Sequence, residues 1–404
     1  MKRYLVFKTK LSKFLAPTIA FSVLHTSLIC CVLIPYFKDN GMLPLQISII
    51  ITSKRLLRLF CDALFGFIFD RFGAKVVFVL GRFLKLASYV LLFFFPNFYG
   101  FVFAMFLDGA SYSSIYGKIS SYIYNNMSIK RQIRLFPKAM SLYYLCNNIS
   151  IAMMSFFASI LLKKYNYDVL IYISIFTNLF SMVLLFKYVP KANNKIQKHF
   201  MVNSIKEIFT KLLELLKFSK NFRFLIVLYG VNSFFAWQFH SISSMVLLDM
   251  KFSSSELAIC GGILKTSMGL GAIFSLLFVK NGLSINRCSF LISLYLCFGC
   301  ITAIVYNPYF FYIFCLVVVF FYTIIEVSIE KAFEFTSKSK IRGTAISSAM
   351  TICSFLAIIS NISFGFISNY FGCKIGVICL LFVFFTIMTS VSYIFGINRR
   401  NLNC

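Results

Sequence analysis

Charge is scarce in this sequence, and acidic charge scarcest: 13% of the 404 residues are charged and only 12 of them are Asp or Glu. A soluble domain gives about a quarter of its residues to Asp, Glu, Lys and Arg. A chain that is 60% hydrophobic with so thin a polar complement is therefore not an ordinary water-soluble protein. No GxxxxGK phosphate loop occurs, which argues against an ATP-driven pump. Of the three histidines, His25, His199 and His240, none has an Asp within five residues, so the His and Asp pair of a membrane-embedded acyltransferase or lipid-modifying enzyme is missing. No small-residue cleavage site follows Pro35 to Lys38. The basic start (Lys2, Arg3, Lys8, Lys10, Lys13) accordingly reads as a retained cytoplasmic tail, not a signal peptide.

What is abundant is apolar length. Mean hydropathy is +0.85, and apolar runs of the roughly 20 residues that cross a bilayer recur from end to end. Turn and charge signals place spans near 16–37, 45–69, 76–95, 98–124, 139–162 and 168–187, then near 222–247, 255–279, 286–306, 309–332, 345–368 and 375–396. The expected fold is an all-α polytopic membrane protein of about 12 transmembrane helices in two six-helix halves. The divisions are a tail at 1–15, one half at 16–190, a basic linker at 191–221, the other half at 222–396 and a tail at 397–404. Within the linker, SIKEIFTKLLELLKF has the pattern of a helix lying on the membrane surface.

The basic excess, 40 Lys and Arg, belongs to topology and not to nucleic acid. Twenty-eight of these residues fall in connections on the side of the N-terminus, 5 on the other side and 7 within spans. Positive residues mark the cytoplasmic side, so both termini are expected there, in a cell membrane and most simply a bacterial inner membrane. The 13 cysteines, among them adjacent Cys30 and Cys31 and the pair Cys297 and Cys300, lie in apolar segments without neighbouring His or carboxylate. They are expected to be small hydrophobes, with no metal and no cofactor.

At the junction of spans 2 and 3 the chain reads GFIFDRFGAK: Gly66, Asp70, Arg71, Gly73 and Lys75 in a tight cytoplasmic turn. Gly66 would permit close helix contact, Asp70 would act on a neighbouring helix terminus and Gly73 would take the turn. This resembles the signature loop of the major facilitator superfamily, and the resemblance implies a latch that opens and closes with a transport cycle. The related loop between spans 8 and 9 is degenerate, keeping Gly271, Lys280, Gly282 and Arg287 without an acidic partner. A partial echo follows span 11 as GFISNYFGCK, with Gly365, Gly372 and Lys374. Two departures weaken drug efflux: span 5 has no Gly or Pro, and span 4 presents Asp108 and Gly109 where many proton antiporters of the family carry Arg.

Intramembrane charges mark the candidate site. Span 2 holds Lys54, Arg55, Arg58 and Asp62; span 4 Asp108 and Lys118; span 8 Lys265; span 10 Glu326 and Glu330. His25 lies in span 1 and His240 in span 7, while Arg82 and Lys85 read as lying toward the cytoplasmic end of span 3. The resemblance implies that spans 1, 2, 4, 5, 7, 8, 10 and 11 surround a central cavity, and the charges follow that plan. A charge in hydrocarbon costs about 2.5–3.5 kcal/mol by the insertion scale, so these residues should face protein or water. Arg58 and Asp62 stand one turn apart on one face, either as a structural ion pair or as part of a site.

The expected function is a secondary transporter moving a small polar or anionic solute by alternating access. Arg55 and Arg58 would hold a carboxylate or phosphate, and Asp62, Glu326 or His25 would couple protons, with Asp108 nearby. Its partners would be that solute, the bilayer and protons. Two rival readings are a transporter-like sensor or scaffold and, with less support, a drug-efflux antiporter or a membrane enzyme.

Overall fold

The computed structural model describes residues 27–115, 118–125, 129–188, 242–281, 307–336 and 342–394. A short 3-10 turn at Ile29–Cys31 leads to α1 (Leu33–Asp39), followed by α2 (Pro44–Phe72), α3 (Ala74–Phe94), α4 (Phe98–Ile115) and α5 (Lys118–Asn125). Then come α6 (Ile129–Leu162), α7 (Tyr167–Tyr188), α8 (Ser254–Asn281), α9 (Pro308–Thr336), α10 (Arg342–Phe371) and α11 (Cys373–Ile394). Residues 242–249 are helical as well, and the described residues hold no strand. His25, His240, the linker at 191–221, span 9 with Cys297 and Cys300, both tails and the first parts of spans 1 and 7 lie outside the described residues.

Local chemistry sets the helix starts. Pro44 opens α2, where its missing N–H is no loss, and the Gln46 side chain accepts from the Leu43 N–H at 2.9 Å. Asn97 Oδ1 accepts from the Gly100 N–H at 2.9 Å to begin α4, and Asn307 Oδ1 accepts from the Tyr309 N–H at 3.0 Å beside Pro308 to begin α9. Ser253 and Glu256 form a reciprocal capping box at α8: the Ser253 N–H donates to Glu256 Oε2 at 2.8 Å and the Glu256 N–H to Ser253 Oγ at 3.3 Å. The turn between α2 and α3 is a single residue, Gly73, at φ 85°. Gly372 has the same φ between α10 and α11, where the echo of the first loop falls.

Five described stretches are long and apolar enough to cross a membrane: Ala74–Phe94, Ala139–Leu162, Tyr167–Lys187, Ser254–Ser275 and Pro308–Glu326. Their outward faces carry large apolar side chains such as Phe83, Phe176 and Phe382, exposed by 59% to 71%. In water such faces would aggregate; against acyl chains they are matched. α3 packs on α4 and α7, α8 on α9, and the chain's first and second parts meet along α6 with α8 and α2 with α10.

The buried apolar residues form two clusters of different make-up. One, with Phe37, Ile50, Phe101, Val246, Leu257, Phe314 and Phe364 at its heart, joins helices from both parts of the chain. The other, with Phe65, Val77, Phe78, Ile119 and Met140, lies toward the opposite end of α2 and, of the described residues, draws on the first part alone. Where both parts meet, polar contacts add to the apolar ones. The Tyr167 hydroxyl donates to Asp39 Oδ2 at 2.6 Å and lies 2.8 Å from Ser254 Oγ, while Ser159 and Ser255 join their hydroxyls at 2.9 Å. Lys38 Nζ donates to the Leu248 carbonyl at 3.4 Å, and Gly365 on α10 is pressed against Ser48 on α2.

Candidate functional site

Helices α2 and α4 run in parallel, so residues at matching depth face one another in register. Lys54 meets Asp108, Arg58 meets Tyr112 and Ser113, and Lys118 at the start of α5 donates from Nζ to the Asp62 carbonyl at 3.0 Å. Their close approach begins at Gly109. A Cβ added there would overlap the Lys54 carbonyl oxygen and sit 2.8 Å from the Lys54 carbonyl carbon and 3.1 Å from its Cα. Only a residue without a side chain lets the two backbones meet at that depth, and the meeting brings Lys54 beside Asp108.

Asp108 is held by two lysines. Lys54 Nζ lies 2.6 Å from its Oδ2, and Lys85 Nζ from α3 binds its Oδ1. Asp108 and Lys85 are buried, whereas the Lys54 side chain remains 30% exposed. Lys85 also lies 3.3 Å from Cys30 Sγ and 5.2 Å from the centre of the Tyr89 ring. Tyr112 is flanked by two cations, with Lys54 Nζ at 5.5 Å and the Arg58 guanidinium at 4.8 Å from its ring centre. Both distances fall within the range of cation–π attraction.

Arg58 Nε stands 3.5 Å from Asp62 Oδ2, the i,i+4 contact that the spacing suggests. Arg55 is buried on the same helix. Glu326 is buried on α9 and lies within electrostatic range of Lys265 on α8 and of Tyr112. Charges from both parts of the chain thus approach one region, between α2, α4, α8 and α9. His25, and the side chains of Asp70, Arg71 and Glu330, lie outside the described residues.

Three sequence readings change on this geometry. Lys85 does not sit at an end of its span: it is eleven residues into α3, or about 16 Å along the axis, which is mid-helix. Lys54, first grouped with the other charges of span 2, is a direct partner of Asp108. Among the described residues Gly66 makes no close helix contact, with nothing within 4 Å of where its Cβ would be, while Gly109 and Gly271 do, the latter against the Phe320 carbonyl at 2.6 Å. In the loop itself, Gly73 takes the turn and Lys75 ties α3 to α7, donating to the Phe186 carbonyl at 2.7 Å. A signal for Lys85 was present in the sequence: Arg82, Lys85, Ser88 and Tyr89 form a polar stripe on an otherwise apolar helix, and all four are buried. Arg82 finds its partner in α7, where it donates to Asn178 Oδ1 at 3.3 Å and its carbonyl accepts from Asn178 Nδ2 at 3.0 Å.

Comparison with known proteins adds three findings. Residues 15–330 match the family model of the Major Facilitator Superfamily. No curated protein matches the sequence. Among solved structures, a nucleoside transporter superposes with a TM-score of 0.67 at 13% identity, covering 97% of this chain and 99% of its own. The human organic anion transporter TETRAN gives 0.71 at 11%, covering 95% and 99%. The E. coli fucose:proton symporter gives 0.64 at 12%, covering 95% and 98%. At such identities the likeness concerns the fold: an all-α polytopic membrane protein of about twelve transmembrane helices in two six-helix halves.

Proposed function

The chain belongs to the major facilitator superfamily, and from that premise we propose that this multi-pass membrane protein is a secondary transporter that carries a small polar or anionic solute by alternating access. The two halves would rock about the region between α2, α4, α8 and α9. The observation that carries the reading is a charge cluster to which both halves contribute: Lys54, Arg58, Asp62 and Asp108 come from the first, Lys265 and Glu326 from the second. The halves also share an apolar core that shuts the end holding Asp39, Tyr167 and Ser254.

The charge bias supports an orientation in which the shut end faces outward, with both termini cytoplasmic. In this reading Arg55, Arg58 and Lys54 present positive charge to the solute, while Asp62 and Glu326 are the described candidates for proton coupling. The missing exporter pattern in span 5 favours import over efflux. A bacterial inner membrane is the expected setting.

The test is counterflow in proteoliposomes against a panel of metabolites, run on Arg58→Gln, Asp62→Asn and the double variant. If the pair is part of the site, the double variant accumulates as folded protein and does not transport. If the pair only holds α2 in place, each single variant loses folded protein and the double regains both abundance and flux, which would remove these residues from the site. A wild-type protein that exchanges nothing in the panel while binding a member of it would favour the sensor reading.

A further inference from the structure

Asp108 has one negative charge and two ammonium partners, and the two are not equivalent. Lys85 is 6% exposed and Lys54 30% exposed. Lys85 rises from α3, which is anchored to α7 through Arg82 and Asn178. Lys54 rises from α2 toward Tyr112 and Arg58. Their sum with Asp108 is one net positive charge, in a place where uncompensated charge is costly.

If Lys54 swings away, Asp108 keeps its contact with Lys85, so no buried carboxylate is stranded. If Lys85 were removed, the deepest part of the cluster would lose its only inner cation among the described residues. The departure of Lys54 is thus cheap, and its net charge remains to be matched by something else. A single carboxylate can replace the one contact that Lys54 gives up on Asp108. Lysine presents a compact ammonium on a flexible stem, suited to changing partners, whereas the planar fork of arginine favours a fixed one. Tyr112 offers an aromatic face beside that ammonium at 5.5 Å, and Lys265 of the second half lies within its electrostatic range.

We propose that Lys54 is an exchangeable hook for the carboxylate of a small organic monoanion, parked on Asp108 when the site is empty, and that Lys85 is the fixed counter-ion that holds Asp108 when the hook leaves. The proposal rests on the transporter reading and names the substrate class of that site. Lys54 is a substrate-contacting residue; Lys85 is a positioning residue that acts through Asp108.

Acylation of the purified full-length protein by a small water-soluble amine reagent, read peptide by peptide by mass spectrometry, tests the hook directly. The probes are lactate, benzoate and nicotinate, each compared with its own amide at equal ionic strength. Lys54 is expected to react and Lys85 to stay unmodified, and at least one carboxylate is expected to slow Lys54 acylation fivefold or more relative to its amide. A Lys54 as inert as Lys85, or one that no carboxylate protects better than its amide, overturns the proposal. The positioning role has its own readout. Lys85→Met should lower folded yield several-fold, Lys85→Met with Asp108→Asn should restore it, and Lys54→Gln should leave it near wild type. A Lys54→Gln variant that loses as much protein as Lys85→Met would make both lysines structural and end the proposal. Counterflow with the same probes keeps the two readings apart. Exchange of an uncharged solute without carboxylate protection retains transport and rejects the hook, whereas protection without any exchange retains the hook and rejects transport.

Discussion

The contact between α2 and α4 offers the sharpest test of the packing, because it depends on one missing methyl group. Replacing Gly109 by Ala puts a Cβ 2.8 Å from the Lys54 carbonyl carbon and 3.1 Å from its Cα, against backbone that cannot rotate aside. Carbon atoms pack comfortably at about 3.5–4.0 Å, and the new Cβ also overlaps the Lys54 carbonyl oxygen, so the helices must part by about 1 Å or more at this depth. Gly66 provides the control on the same helix pair: it too lies inside a helix, and nothing lies within 4 Å of its would-be Cβ. Both substitutions gain the same helix propensity on changing Gly to Ala, about 1 kcal/mol, so the difference between them isolates the contact. Overpacking of this kind costs about 1–3 kcal/mol, which is roughly a 5- to 150-fold change in the folding equilibrium. The assay is thermal unfolding of each purified variant in detergent, followed by loss of the monodisperse peak. Gly109→Ala should melt below wild type and Gly66→Ala at or slightly above it. Equal midpoints for the two variants would refute the close approach, and with it the reason that Lys54 reaches Asp108.

The other expectations concern the shut end, the turn and the topology. Ser159→Cys with Ser255→Cys should cross-link under mild oxidation, since the native hydroxyls are 2.9 Å apart, and the linked protein should stop counterflow; a linked peptide absent from the mass spectrum would contradict the α6 and α8 contact. Tyr167→Phe removes the hydroxyl between Asp39 and Ser254, a hydrogen bond to a charged group worth about 1.5–3 kcal/mol, and should raise labelling of a Cys introduced at Ser254; unchanged labelling would show that this bond does not help hold the end closed. Gly73→Leu forces a side chain into φ 85°, about 1–2 kcal/mol of backbone strain, so it should lower both abundance and flux, whereas Asp70→Asn should lower flux alone. Reporter fusions after Lys130, near Lys198, after Lys338 and at Cys404 should all report cytoplasm, and one near Asp39 or Asn307 that did so would overturn the orientation.

Much of the helical framework could be read in the sequence because single residues carry it. Spans expected to begin near 45, 98, 255 and 309 begin at Pro44, Phe98, Ser254 and Pro308, where proline and capping side chains open the helices. Asp62 was equally legible as a partner of Arg58, since a four-residue spacing on one helix fixes their separation. The partnership of Lys85 with Asp108 was not legible. It depends on the relative depth of two antiparallel spans whose boundaries are soft by a few residues, and a shift of one turn would carry Lys85 about 5 Å past its partner. Likewise, nothing local distinguishes Gly109 from Gly66. What differs is the neighbourhood: the Lys54 backbone at one position and, among the described residues, nothing within 4 Å at the other. The first loop attracts attention in the sequence, yet the tightest small-residue contact on α2 lies elsewhere.

The contacts also divide by the work that alternating access would ask of them. Lys54 with Asp108, Lys85 with Asp108 and Arg82 with Asn178 join helices within the first half, and Arg58 with Asp62 lies within α2. A rigid-body rotation of one half against the other leaves these four contacts intact. The contacts that must part at the shut end are of another kind: hydroxyls at Ser159 and Ser255, a tyrosine shared between Asp39 and Ser254, a lysine on the Leu248 carbonyl, and small residues at Ser48 and Gly365. Hydrogen bonds of this sort contribute about 0.5–1.5 kcal/mol each when neutral, more when one partner is charged, and water can replace them once the end opens. Among these contacts of the described residues, the costly ones lie inside a half and the replaceable ones between halves, which is the distribution a two-state protein requires if its states are to differ by only a few kcal/mol. Glu326 and Lys265 stand out against this pattern. They bring second-half charge within reach of Tyr112 and Lys54, so any solute bound among these groups would touch both halves and sense their relative position.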